Sequence, residues 1–109
     1  MNPGWAWVLA GGLAETVWAT TLKLSDGFTD VPYSVLTLIF LAISMYLLNR
    51  GFRAGLPTGP CYAVWVGIGA VGSVIVGLIC FGEVLPLAGW VCMALIIAGV
   101  VGLNLAESE

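Results

Sequence analysis

Apolar side chains fill three stretches that carry no charge, residues 31–49, 54–82 and 84–106, and a fourth, 3–22, that a single carboxylate interrupts. About 20 residues of helix cross the hydrocarbon of a bilayer, and each stretch reaches or approaches that length. The pattern predicts four helical spans, at about 4–22, 32–48, 58–81 and 87–105. Between them lie short polar connections. Lys23–Val31 carries the turn signal Asp26-Gly27, Asn49–Arg53 precedes Pro57 at the mouth of the third span, and Glu83-Val84-Leu85-Pro86 makes the last turn. The expected architecture is an all-α membrane protein, one four-helix transmembrane domain over 1–109, with no room for a separate nucleotide-binding or regulatory domain.

The interruption is Glu15. In a helix rising 1.5 Å per residue it lies roughly 18 Å from Pro3 and roughly 10 Å from Leu22, deep inside a core about 30 Å thick. A charge there costs on the order of 3 kcal/mol on insertion scales, which marks it as functional rather than as packing. At helical spacing its face reads Val8, Gly11, Gly12, Glu15, Trp18, Ala19, Leu22. Gly11 and Gly12, one turn away, clear space beside the carboxylate. Trp18, one turn the other way, is either a wall of that space or an aromatic anchor toward lipid.

Other polar or small residues are candidates to join it. Ser44 in span two either bonds back to its own helix or reaches into a polar cavity or to Glu15. Tyr62 and Trp65 are three apart and share a face of span three. Gly67, Gly69 and Gly72 make that span glycine-dense, which suits close packing or a bend, and Gly69, Ser73 and Gly77 repeat at four as a stripe for helix contact. Span four lacks ionisable groups but has Gly89, Gly99 and Gly102 among branched residues, the pattern of a bundle or oligomerisation helix.

Composition agrees and narrows the chemistry. The chain is 61% hydrophobic and 8% charged, a membrane composition. It starts without the basic segment of a signal peptide. Without histidine, proton chemistry near neutral pH falls to a carboxylate. Cys61, Cys80 and Cys92 have no CxxC spacing and read as small buried apolar residues, so neither metal nor cofactor is expected. The net charge of −3, spread over loops and the acidic tail Glu107-Ser108-Glu109, implies no nucleic-acid partner, and Glu83 at a boundary reads as solvated. With four spans, both termini and the second connection share one side with Arg50 and Arg53, against Lys23 on the other. Basic residues set orientation, and here they nearly cancel.

GGLAETVWATTLK around the acid, DGFT in the first connection, LPTGPCYAVWVGIGAVG opening span three and GVVGLNL ending span four together resemble the small multidrug resistance family over essentially the whole chain. The resemblance implies a proton-coupled exporter of small organic cations in the bacterial inner membrane. It also implies that the chain pairs with itself as an antiparallel dimer, or with a paralogous subunit, so that two copies of the span-one glutamate share one site. Within the family, Glu15-x-x-Trp18 and WVGIGAVG at 65–72 are similar to guanidinium exporters. That similarity implies Glu15 as the central acid, Ser44, Tyr62 and Trp65 as further site residues and Trp18 as an aromatic wall. Thr20-Thr21-Leu22, and Asn104 where guanidinium exporters usually have lysine, are similar instead to exporters of quaternary ammonium and multidrug cations.

Bare residue chemistry points the same way. Two carboxylates in one site titrate as a coupled unit, and such a site holds protons or a cation but not both. A channel would need polar residues repeated down a helix face, whereas here they gather at one depth. An inert partner subunit would not need Glu15. No nucleophile–base pair suggests an enzyme.

Overall fold

The computed structural model describes residues 2–107, and every regular element in it is helical. Four helices follow one another: α1 Gly4–Leu24, α2 Val31–Arg53, α3 Thr58–Cys80 and α4 Leu87–Glu107. By length and composition α2, α3 and α4 can each cross a membrane. In α1, Glu15, Thr16, Thr20, Thr21 and Lys23 dilute the apolar content.

Helix ends depart from the charge-free runs for local reasons. Asn49–Arg53, expected as a connection, is the last part of α2; the true turn is shorter, at 54–57. Two arginines in the final turn suit the negative end of the helix dipole. Lys23 and Leu24 likewise belong to α1. At the other end of α2, Asp30 caps the helix by accepting from Tyr33 N at 3.2 Å, with Pro32 in the first turn. The connection before it is organised by Ser25, which is fully buried: its hydroxyl donates to Leu22 O at 2.6 Å and accepts from Phe28 N at 3.2 Å. This holds Asp26, Gly27 and Phe28 in the left-handed region. Of the acidic tail, Glu107 ends α4, while Ser108 and Glu109 lie outside the described residues.

The bundle is flat, 44 × 34 × 17 Å, with α1 in the middle, packed chiefly on α2 and then on α3. Its apolar core gathers at the end holding the N-terminus and the α2–α3 turn, from Trp5, Val8, Leu48, Leu56, Cys61, Val64 and Trp65. Asn2 closes that end by donating to Ala54 O at 3.0 Å. At the opposite end Lys23 pairs with Glu83 and lies 4.4 Å from the Phe81 ring centroid, so Glu83 is an ion-pair partner rather than an isolated solvated acid. Helix α4 stands apart. It packs on α3, and Met93 is its one buried residue. Cys92 on α4 and Cys80 at the end of α3 are exposed on the single chain, and of the three cysteines expected to be buried Cys61 alone is.

Candidate functional site

Helix α1 meets α3 through positions that lack side chains. A Cβ on Gly12 would lie 2.7 Å from Ile68 Cβ and 3.3 Å from Trp65 O, and one on Gly11 would lie 3.0 Å from Trp65 Nε1. One turn further along, a Cβ on Gly69 would fall on the Glu15 carboxylate, and one on Gly72 would fall on the Thr16 hydroxyl. Glu15 is therefore pressed against bare α3 backbone. Its Oε2 is buried and has no hydrogen-bond partner among the described residues. An unmatched carboxylate oxygen between two apolar helices is costly on its own, and a cation or a proton removes that cost.

A second feature stands one turn toward the N-terminal end. The Trp65 indole N–H donates to Ser44 Oγ at 3.1 Å, and Ser44 in turn donates to Gly11 O at 2.8 Å. This relay stitches α3 to α2 to α1. Ser44 therefore bonds neither to its own helix nor to Glu15, and its hydroxyl lies instead in a polar contact between α1 and α3. The relay also fixes the indole of Trp65, on which Tyr62 leans with ring centroids 5.5 Å apart and planes at 36°.

The structure thus joins Gly11, Ser44 and Trp65 directly, packs Gly12 on Ile68 and the Trp65 backbone, and sets Glu15 beside Gly69, one helical turn away. Tyr62 is attached through Trp65 but is 52% exposed on the single chain. Trp18 has a buried indole N–H with no partner among the described residues, so a second polar group waits near the acid on the same helix. Thr20 and Thr21 return their hydroxyls to their own helix, to Thr16 O at 2.8 Å and Trp18 O at 3.1 Å, and Thr21 also meets Thr37 at 2.8 Å.

The glycines of α3 divide their work. The helix is unbroken from Thr58 to Cys80. Gly69 and Gly72 face α1, Gly67 seats Val100 of α4, and Gly77 faces Glu83 in the following turn. The four-spaced stripe 69–73–77 is therefore not one continuous helix contact. Sequence reasoning named Gly69 and Gly72 as candidate bends and missed them as the floor under Glu15 and Thr16. The signal was the match of large α1 residues at 15 and 16 to absent side chains on α3. Beyond Glu15, toward the Lys23–Glu83 pair, a cleft of about 190 Å³ is lined by Ala19, Thr20, Lys23, Ser73, Val76, Gly77, Phe81 and Glu83.

A family model described as Small Multidrug Resistance protein matches residues 3–96. The chain belongs to the small multidrug resistance family. Among the relatives of this small multidrug resistance protein is a guanidinium exporter of Yersinia pseudotuberculosis, 44% identical over 103 residues, which span 94% of this chain and 98% of that one. Similar to it as well are guanidinium exporters of Proteus vulgaris, 42% identical over 103 residues with the same coverage, and of Salmonella typhimurium, 42% identical over 102 residues covering 94% and 96%. Family membership and three membrane-competent helices make this a multi-pass membrane protein with a role in transport.

Proposed function

We propose that this protein exports guanidinium and singly substituted guanidinium ions from the bacterial cytoplasm across the inner membrane in exchange for protons, with Glu15 as the shared binding group. The observation that carries the reading is the Glu15 carboxylate seated on Gly69 with one oxygen buried and unmatched. Guanidinium stays charged at physiological pH and is planar, so it offers paired N–H donors to a carboxylate and flat faces to Trp18, Tyr62 and Trp65. A proton satisfies the same oxygen. The two ligands therefore exclude each other, and that exclusion couples their movements. The names of the relatives favour guanidinium over larger cations.

In this reading α1 is the fourth spanning helix, and two chains insert in opposite senses. A slab 17 Å thin cannot enclose a substrate alone, and one acid per chain makes half a site. Two copies related by an axis in the membrane plane give equivalent inward and outward openings, as inverted repeats do inside larger transporters. The exposed face of α4 supplies surface for the pairing, and the Gly67–Gly72 segment of α3 is the place where the protomers differ as they exchange conformations.

Guanidinium-driven proton release from purified protein, together with proton-coupled guanidinium flux in liposomes holding this chain alone, tests the reading. Wild type releases protons and transports. Glu15→Gln folds and does neither. Undiminished release from the Gln variant would end it. Strong transport of a large quaternary ammonium ion with none of guanidinium would assign the multidrug reading that Asn104 favours.

A further inference from the structure

Two of the three basic residues in this acidic chain stand together at one corner of the bundle, away from Glu15. Arg50 and Arg53, in the last turn of α2, line a cavity of about 420 Å³ with Trp7 and Ala54. No acidic side chain lines it, and neither arginine forms an ion pair among the described residues. The Arg50 guanidinium is held 4.6 Å from the Trp7 ring centroid, a cation–π contact that keeps it at the cavity. Backbone amides of the α2–α3 turn do not compete as donors, because Ala54 N and Gly55 N already donate to carbonyls in the last turn of α2.

The depth of the corner selects the ligand. At 1.5 Å per residue the charge-free part of α2 spans about 28 Å, which fills a hydrocarbon core of about 30 Å and leaves Arg50 and Arg53 in the headgroup layer. Below Arg50, at helical spacing on the same face, Tyr46, Ile43 and Ile39 are all exposed and present an apolar track running into the membrane. A phosphate with two attached hydrocarbon chains fits both halves of this surface. We propose that the Arg50–Arg53–Trp7 cavity binds the phosphodiester headgroup of an anionic phospholipid, with the two guanidinium groups on the phosphate and an acyl chain along the α2 track. Arginine forks suit phosphate oxygens, and basic pockets at the membrane boundary of helical bundles take anionic headgroups.

Native mass spectrometry of the purified full chain, with phosphatidylglycerol or phosphatidylcholine added to the detergent, tests the site. Wild type retains phosphatidylglycerol saturably and in preference to phosphatidylcholine. Arg50→Gln with Arg53→Gln weakens retention about tenfold or more, as expected for charge-assisted bonds. Trp7→Leu keeps every charge yet weakens it roughly threefold, by freeing Arg50. Arg53→Gln alone, at an exposed position, gives an intermediate loss if the double variant is poorly folded. Retention that is unchanged in the arginine variants overturns the proposal. Retention that falls with the arginines but not with Trp7→Leu also overturns it, because diffuse attraction to anionic surfaces needs charge alone. Free glycerol phosphate binding as tightly as the lipid would overturn the lipid assignment.

Discussion

Replacing Gly69 with alanine adds one methyl group, and the structure says where it goes: onto the Glu15 carboxylate. No real carbon sits that close, so either Glu15 leaves its seat or α3 retreats from α1. Retreat is resisted by the neighbouring contacts of Gly12 with Ile68 and Gly72 with Thr16. Overpacking of this kind costs about 1–3 kcal/mol. If the carboxylate yields, that cost appears in the site, and guanidinium affinity falls roughly five- to a hundredfold. Gly59→Ala, on the same helix with nothing within 4 Å of its Cβ, is the control for the altered helix propensity alone. Titration of guanidinium by proton release, beside thermal unfolding in the same detergent, separates site from scaffold. Wild-type affinity in Gly69→Ala, with Gly59→Ala also unchanged, would refute the assignment of the α1–α3 contact as the seat of the substrate-binding Glu15 carboxylate.

If proton and cation compete for one group, as proposed, apparent guanidinium affinity should fall as pH falls through the titration of the site, by about tenfold per pH unit for each proton displaced; isothermal titration at three pH values reads the slope, and a flat profile contradicts competition. Ser44→Ala should destabilise by about 1–2 kcal/mol, since it strands the buried Trp65 N–H, and Ser44→Thr should recover part of that loss in unfolding titrations. Glu83→Gln should change stability by less than about 1 kcal/mol, because both partners of the Lys23 pair are 50% exposed, so any large change in transport rate from it would report on movement rather than folding. A cysteine placed near Glu107 should label from both faces of intact cells in comparable amounts, and labelling from one face with full activity would exclude oppositely inserted chains.

The four helices were legible because charge-free runs and turn residues are local signals. Their ends were less so. A charge ends a hydrophobic run but not a helix, which is why α2 continues through Asn49 and Arg50 to Arg53. Glu15 was legible for the same reason that it is costly. Its surroundings were only partly so: the face with Gly12 follows from helical spacing, but Ser44 reaching Gly11 across 33 positions depends on how α1 and α2 cross. Lys23 and Glu83, 60 positions apart, meet only because two connections share one end of the bundle. The glycines of α3 announced that something comes close without saying what. Three different neighbours, Val100, Glu15 and Thr16, answer for Gly67, Gly69 and Gly72.

Helices α1, α2 and α3 are tied by the Trp65–Ser44–Gly11 relay and by close glycine contacts, whereas α4 rests on α3 with a single buried side chain. Such a chain has two tiers of cohesion, and proteins open first where contacts are fewest. Amide exchange in a monomeric preparation should show α4 freeing itself while the other three helices remain protected. During synthesis the same ordering lets a three-helix unit settle before the last helix leaves the ribosome. If the chain pairs as proposed, assembly then becomes a quality check on α4, since a second subunit would lend it the protection that its own chain withholds.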